Sequence, residues 1–502
     1  MNQEARDKPV RSVKLGRLLK GVPAPVPDGA AATEITSLAC DSRAVRPGSL
    51  FFALPGEKTD GGLFIEDAAR RGAAAVLHEK GMRPPRDRPS VCVECARTAM
   101  ADVAAEFHGH PSKKLQVVGV TGTNGKTTTV FMVRDILRAA GIPCGIIGTI
   151  QYEFGERLIS ATRTTPESLD LQRIFSEALQ AGDQAVAMEV SSQGLAAERL
   201  RGTRFAAAVF TNLTVDHLDF HKTMEAYFDA KKRLFEALAA DSPGAPAAVN
   251  IDDPYGRRLA AEPFLAGHRL TFGCHPDAQV RAEDIHLSEK DSGFRAVTPW
   301  GEIRVDLGLA GRFNVSNALG AMSVCGALGV PLDAMASALS KMSSVPGRLE
   351  RIADPRGTRH VFVDYAHSED ALRNVLQTLR ETASGRLICV FGCGGNRDRS
   401  KRPRMGAAVS EFADFAIVSS DNPRNEDPLA ILAEILPGMD RNKPHHVEPD
   451  RAKAIRAALQ TSRAGDTVLV AGKGHETYQE IAGRMTHFDD REVIRAALAE
   501  GL

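Results

Sequence analysis
An α/β protein of three domains is predicted by three features of the sequence. The stretch VVGVTGTNGKTTT, Val117 to Thr129, sets an apolar run, a glycine-punctuated loop and a helix start in immediate succession. After it, strand-like and helix-like stretches alternate as they do in doubly wound parallel sheets. The length, 502 residues, corresponds to about three domains of ordinary size. The expected boundaries are residues 1–111, 112–345 and 346–502.

The first domain mixes short apolar runs, Ser49 to Leu54, Ala73 to Leu77 and Ser90 to Val93, with helical stretches at Phe64 to Arg71 and Arg97 to Phe107. Its turn-rich segments from Asp41 and Leu54 put small hydroxyl and glycine residues at loop tips, where a polar ligand can be held or where turn chemistry alone explains them.

In the second domain Gln116 to Val120 is expected as a buried strand, Thr121 to Gly125 as a tight loop and Lys126 as the start of a helix. Backbone amides and the positive end of such a helix face an anion. Gly122 and Gly125 can expose N–H groups, Lys126 can reach the outer phosphates and the Thr127 hydroxyl suits a bridging magnesium ion, the alternative being a glycine-rich strand-to-helix turn with no ligand. The loop is a variant, since the strict P-loop spacing asks for glycine where Val120 stands. Further strands are expected at Cys144 to Ile150, Gln184 to Val190, Ala206 to Phe210 and Ala247 to Asn250.

Three polar residues of this domain stand out. Glu189 closes the apolar run QAVAMEVSS, as a magnesium ligand or as the partner of an arginine. His217, in TNLTVDHLDFH, is a second metal ligand or a loop histidine bonded to backbone. Lys231 falls inside the helical stripe of Met224, Tyr227, Phe228, Leu234, Phe235 and Leu238. A buried ammonium there must be paired, deprotonated or chemically changed, unless the side chain snorkels past the stripe. Asn314 and Asn317 share one face of a helix and match the N6 and N7 edge of adenine, although helix capping explains one of them equally well.

The third domain has expected strands at His360 to Asp364, Leu387 to Phe391, Phe415 to Ser419 and Thr467 to Val470, followed by DYAHS, GCGGNRDRSKRPR, SSDNPRNEDP and AGKGHETY. The cluster Arg397, Arg399, Lys401, Arg402 and Arg404 is interrupted by Asp398 and lacks aromatic neighbours, which favours a carboxylate or phosphate over nucleic acid.

Lys plus Arg and Asp plus Glu both number 63, so net charge gives no case for nucleic acid or an anionic membrane. Small-molecule substrates are expected. With no apolar run of transmembrane length and a mixed polar start, the expected location is cytoplasmic, without membrane association. Eight cysteines are too sparse for a disulfide framework, and the lone pair Cys92 and Cys95 lacks the further ligands of a zinc site.

TGTNGKTT, MEVSSQGL, TNLTVDHLDFH with YFDAK, GRFNVSNALGA, PGRLE, VDYAHS, GCGGNRDRSKRP, DNPRNEDP and GKGHE occur in the order seen in Mur ligases, the ATP-dependent amino-acid-adding enzymes of peptidoglycan synthesis. The resemblance spans nearly the whole chain. DNPR resembles the form of that loop in the branch that adds meso-2,6-diaminopimelate rather than L-lysine to UDP-N-acetylmuramoyl-L-Ala-D-Glu. It implies the three-domain Mur ligase architecture: a small α/β N-terminal domain, a central P-loop-type doubly wound parallel sheet and a C-terminal Rossmann-like α/β domain. It also implies a monomer with ATP as co-substrate and Mg2+ as cofactor.

By the same resemblance, Thr121, Gly122, Thr123, Asn124, Gly125, Lys126 and Thr127 hold the ATP phosphates, and Asn314, Asn317, Arg348 and Asp364 meet the nucleotide. Thr127, Glu189, His217 and a carbamylated Lys231 hold the metal, with Lys126, Glu189, His217 and Lys231 as catalytic residues. Cys40, Ser42, Glu57, Lys58, Thr59, Thr164, Thr165, Ser191 and Arg199 hold the nucleotide-sugar dipeptide. Arg397, Asp421, Asn422, Pro423, Arg424, Gly472 and Glu476 hold diaminopimelate. The chain departs from the family pattern at Arg163, where Asn is usual, at Ala197 for Gln and at Cys40 for Leu. Two other readings compete: a folylpolyglutamate-synthetase-like ligase, against which DNPR with GKGHE argues, and a P-loop NTPase without ligase activity.

Overall fold
A computed structural model of the chain describes residues 12–56 and 60–502. It divides into two compact units. One comprises Met1–Val118, Pro143–Ala206 and Ala240–Ser242; the other comprises Gly119–Ile142, Ala207–Ala239 and Pro243–Leu502.

The first unit opens on a parallel four-stranded sheet in the order Ser37–Ala39, Ser49–Phe52, Ala73–Glu79 and Ser90–Val93. Its two central strands are apolar runs buried on both faces, whereas the outer strands Ser37–Ala39 and Ser90–Val93 are only partly buried. The helix Ala96–His108 buries Ala96, Ala99, Met100, Val103, Ala104 and Phe107 at helical spacing and stops at Gly109 in the left-handed region. The same unit holds the strand order Arg157–Ser160, Gln151–Phe154, Cys144–Ile147 and Ala185–Glu189, followed by the first half of Gln116–Thr121. Cys144–Ile147 and Ala185–Glu189 run parallel, and the two outer strands return as antiparallel hairpins. Cys144–Ile147 ends three residues before the expected Ile150, because Gly148 turns the chain back into the hairpin.

In the second unit the latter half of Gln116–Thr121 is followed by Ala207–Phe210, Ala247–Asn250, Arg269–Gly273, Val280–Leu287, Ser292–Thr298 and Gly301–Leu307. The last three form an antiparallel edge that the expected parallel sheet did not include. Ser292–Thr298 buries every second residue, the mark of a strand with one solvated face. The helix Arg312–Ala327 is buried nearly all round.

A six-stranded sheet of this unit has the order Glu350–Ile352, His360–Asp364, Thr467–Ala471, Leu387–Phe391, Phe415–Val418 and His445–Val447, parallel except for the first strand. Alternation divides its side chains between two cores. Phe362, Leu387, Cys389, Phe391, Val418 and Leu469 pack on one side, and Val361, Val363, Ile388, Val390, Ile417 and Val468 on the other. Because these strands are parallel, Asp364, Ala471, Phe391 and Val418 all end at one edge, and the loops that follow them gather there. Among the described residues no helix is long and apolar enough to cross a membrane.

Candidate functional site
In the second unit the strand ending at Thr121 and the helix Lys126–Ala139 hold the glycine loop between them. Gly125 caps the helix at φ 85°, and a Cβ there would fall 2.3 Å from Asn317 Oδ1, so both backbone and space call for glycine. The loop is braced from the neighbouring strand end: Asn124 N donates to Asn212 Oδ1 at 2.9 Å, and Thr211 Oγ1 donates to the Asn124 carbonyl at 2.6 Å. Lys126 Nζ curls over the loop, donating to the Gly122 and Thr123 carbonyls at 3.0 and 2.9 Å. The Thr127 hydroxyl accepts from Arg348 Nη2 at 3.0 Å.

Beside the loop lies a group of titratable side chains. Lys231 is 1% exposed, which rules out snorkelling; its Nζ donates to the Gly122 carbonyl at 2.7 Å and sits 4.5 Å from the centre of the Tyr227 ring. Burial, then the charge of Lys126, holds its amine well below the ordinary lysine value. Among the described residues Lys231 has no carboxylate in contact, and its surroundings work against the charged form. His217, at φ 54°, has Nε2 3.5 Å from Asp216 Oδ2, and burial pushes its imidazole toward the neutral form despite Asp216. Burial also works upward on Asp216, but His217, His367 and Lys401 outweigh it and keep the carboxylate ionised.

Asn314 Nδ2 donates to the Ala310 carbonyl at 2.8 Å and Asn317 Nδ2 to Asn314 Oδ1 at 3.2 Å. Gly311 occupies the N-cap, so neither asparagine caps the helix. Asp364 is a backbone anchor: its oxygens accept from Leu349 N at 2.6 Å and Ala366 N at 2.7 Å, and burial raises its carboxyl. The Arg348 guanidinium lies 4.8 Å from the Tyr365 ring centre.

The loops at the edge of the second sheet interlock. Asn422 Nδ2 donates to Glu476 Oε2 at 2.8 Å, and Arg424, at φ 55°, donates from Nη1 to the Gly395 carbonyl at 2.8 Å with its Nε 3.6 Å from Glu480. Pro423 lies between them. At Gly472, φ 115°, a Cβ would meet Asp421 Oδ2 at 2.4 Å. Arg397 is exposed and donates to the Asn396 carbonyl at 3.3 Å. The basic cluster expected as an anion site is otherwise consumed internally: Arg402 is fully buried on Glu426 and Glu434, Arg399 pairs with the same two carboxylates, and Lys401 Nζ donates to the His367 carbonyl at 2.9 Å.

In the first unit Thr164, Thr165, Ser191 and Arg199 converge on the end of Ala185–Glu189. Thr149 donates from N and Oγ1 to the Glu189 carboxylate at 2.8 and 3.0 Å, and Thr164 Oγ1 is 3.0 Å from Thr149 Oγ1. Thr165 Oγ1 donates to the Glu189 carbonyl at 3.0 Å and accepts from Ser191 N at 2.9 Å. Arg199 Nη1 reaches the Thr165 carbonyl at 3.3 Å, and its Nε lies 3.0 Å from Glu167, which also pairs with Arg163 and Arg97. Ser42 is buried in a short turn of helix; burial and the charges of Asp170 and Glu167 push the Cys40 thiol up to about 11, so it stays protonated. Glu57, Lys58 and Thr59 lie outside the described residues.

Four site residues escaped the sequence reading: Asp216, His367, Asp370 and Lys473. Asp216, His367 and Lys473 sit inside motifs noted for a neighbour and Asp370 just beyond one, and only tertiary packing shows their partners. Among the described residues no group of three or more His, Cys, Asp or Glu side chains is arranged to hold a metal.

Comparisons with known proteins agree with this layout. Residues 34–108 match a model of the Mur ligase family catalytic domain, 120–325 the Mur ligase middle domain and 347–474 the Mur ligase glutamate ligase domain. A UDP-N-acetylmuramoyl-L-alanyl-D-glutamate–2,6-diaminopimelate ligase of Geobacter metallireducens is 47% identical, over 94% of this chain and 96% of its own. The enzyme of the same name from Solibacter usitatus is 46% identical, over 97% and 98%. A solved structure bearing that name superposes with a TM-score of 0.69 at 32% identity, over 97% of this chain and 99% of its own. The chain belongs to the Mur ligase family.

Proposed function
We propose that the protein joins meso-2,6-diaminopimelate to the side-chain carboxylate of D-Glu in UDP-N-acetylmuramoyl-L-Ala-D-Glu at the expense of ATP, a cytoplasmic step of peptidoglycan precursor synthesis carried out by a monomer. The observation that carries this reading is the near-full-length identity to enzymes of that name. The meeting of the DNPR and GKGHE loops through Asn422 and Glu476 supports the choice of amino acid. The domain division 1–111, 112–345 and 346–502 belongs to the same reading.

The γ-phosphoryl group of ATP passes to the D-Glu carboxylate; the amine of diaminopimelate attacks the resulting acyl phosphate, and phosphate leaves as the amide forms. Thr121 to Thr127 cradle the phosphates, and Lys126 turns from its own loop carbonyls to neutralise charge on the transferring group. Asn314, Asn317, Arg348 and Asp364 frame the nucleotide. Cys40, Ser42, Glu57, Lys58, Thr59, Thr164, Thr165, Ser191 and Arg199 take the nucleotide-sugar dipeptide, while Arg397, Asp421, Asn422, Pro423, Arg424, Gly472 and Glu476 take the amino acid.

Magnesium is bound through one or two carboxylates together with substrate phosphates, and the Glu189 carboxylate and a Lys231 carbamate are oxygen donors of that kind. Thr127, Glu189, His217 and carbamylated Lys231 would hold it, and it would supply charge neutralisation on the phosphoryl oxygens. Burial holds the Lys231 amine well below the ordinary lysine value, and its neutral form is the one that reacts with CO2, giving a carbamate anion suited to a metal and releasing a proton.

The test is incubation with ATP, Mg2+, the nucleotide dipeptide and either diaminopimelate or L-lysine. Tripeptide formed with diaminopimelate, with one phosphate released per amide, is expected. Phosphate release without tripeptide would leave an NTPase, and equal use of lysine would overturn the choice of amino acid.

A further inference from the structure
Lys473, the lysine of GKGHE, has no exposed side-chain surface. Its Nζ donates to the Tyr478 carbonyl at 2.5 Å, to Asn422 Oδ1 at 3.2 Å and to Glu476 Oε2 at 3.3 Å. An ammonium carries three N–H donors, and these three acceptors use all of them. None remains for a ligand, so Lys473 acts through its neighbours.

Two constraints follow. Asn422 Oδ1 receives both Lys473 and the backbone N–H of Glu480, at 3.0 Å, which fixes the flip of the amide and turns its Nδ2 toward Glu476 Oε2 at 2.8 Å. That Glu476 oxygen therefore receives one ammonium and one amide donor, while the second oxygen of the carboxylate takes no hydrogen bond from them. The Lys473 ammonium also lies 5.4 Å from the Tyr478 ring centre, where the aromatic face favours a cation.

We propose that Lys473 is a positioning residue of the amino-acid site: it locks the Asn422 amide and the Glu476 carboxylate into the arrangement that receives the distal ammonium of the incoming amino acid. The proposal rests on the assignment of Asn422 and Glu476 to that site. Burial and the adjacent Asp421 raise the Glu476 carboxyl, whereas Lys473 and Asn422 pull it down. Arg451, Tyr365 and Tyr478 are the other titratable groups whose charges act with it. Without Lys473, the two upward influences lose their nearest opponent. Glu476 then takes a proton at higher pH, and a neutral carboxyl receives an ammonium poorly. The lost affinity must return as pH rises and Glu476 ionises again.

The test is steady-state kinetics of full-length wild type, Lys473→Met and Lys473→Gln between pH 7 and 9, with thermal melts alongside. Lys473→Gln keeps an amide donor for the Asn422 and Tyr478 oxygens and removes only the charge, so it serves if the methionine variant does not fold. Near pH 7 either folded variant is expected to raise KM for diaminopimelate about 30-fold, the scale for breaking a buried charge pair. The defect should shrink toward pH 9, with KM for ATP within about twofold of wild type and Lys473→Arg partly restored. A KM for diaminopimelate that is unchanged, or raised equally at all pH values together with that for ATP, overturns the proposal. A wild type that ligates no diaminopimelate overturns the assignment of the site instead.

Discussion
Asp370 Oδ2 accepts a hydrogen bond from Asn124 Nδ2 at 2.8 Å, joining the glycine loop to the first turn of the helix Glu369–Thr382 across 246 residues of sequence. The same oxygen takes the Thr214 hydroxyl at 2.9 Å, and burial raises the carboxyl against these two donors. Asp370→Ala leaves two part-buried donors unanswered, a loss of about 1–3 kcal/mol. A lowered melting temperature is expected, with KM for ATP raised more than KM for diaminopimelate. Asp370→Asn keeps one acceptor and should lie between the variant and wild type. Equal effects on both Michaelis constants would detach Asp370 from the loop.

Lys231 supports a second prediction. Its amine is buried beneath the Gly122 carbonyl and depressed by burial and by Lys126, so the neutral form dominates at lower pH than for an exposed lysine. Activity of enzyme stripped of CO2 should fall and return on adding bicarbonate. Lys231→Ala should abolish ligation and recover part of it with a small carboxylate that occupies the vacated space. Full activity of Lys231→Ala at low bicarbonate would remove the carbamate.

The sequence made the strand ends legible because a lone polar residue closing an apolar run, such as Glu189 or Asp364, has little choice of place in a parallel sheet. Lys231 was legible for a similar reason, as a charge at a buried position of the helical period. The antiparallel edge from Val280 to Leu307 was not foreseen, although Ser292–Thr298 carries a clear alternation. Lys473 could not be recognised as buried, since a lysine between two glycines has no periodic neighbours to mark its face. The pairing of Arg399 and Arg402 within the basic run was not legible, because the acids that meet them, Glu426 and Glu434, stand some 30 residues away in the chain.

A third prediction concerns stability. Arg451 and Asp490 form a fully buried pair, with Nε and Nη2 each 2.7 Å from a carboxylate oxygen, and the guanidinium also donates to the Ser420 and Ala471 carbonyls. Removing one member of such a pair strands the other charge, at a cost of about 3–5 kcal/mol. Asp490→Asn should shift the denaturation midpoint accordingly. Because Ser420 and Ala471 lead directly into Asp421 and Gly472, use of the amino acid should weaken before use of ATP does. A midpoint within experimental error of wild type would show the pair to be energetically idle.

The last prediction is that Arg424 selects diaminopimelate over lysine. The two amino acids share an aliphatic arm, but diaminopimelate ends in a second centre that bears a carboxylate. Arginine binds a carboxylate through two parallel charge-assisted bonds, and facing lysine instead it would oppose a like charge. Arg424 is held for such a role. Its backbone is fixed in the left-handed region, with its N–H donated to the Glu480 carbonyl at 2.8 Å, a conformation that costs about 1–3 kcal/mol and persists only where neighbours enforce it. Nη1 is anchored on the Gly395 carbonyl and Nε lies 3.6 Å from Glu480 Oε2, which orients the fork. Losing a charged partner in a site built for it can reduce discrimination by a factor on the order of 10⁴. Arg424→Ala should therefore collapse the preference for diaminopimelate while KM for ATP and for the nucleotide dipeptide stays nearly constant. Arg424→Lys, which keeps the charge without the fork, should recover only part of it. The measurement is the ratio of kcat/KM for the two amino acids on wild type and both variants, and a ratio unaltered in Arg424→Ala would place the selectivity elsewhere.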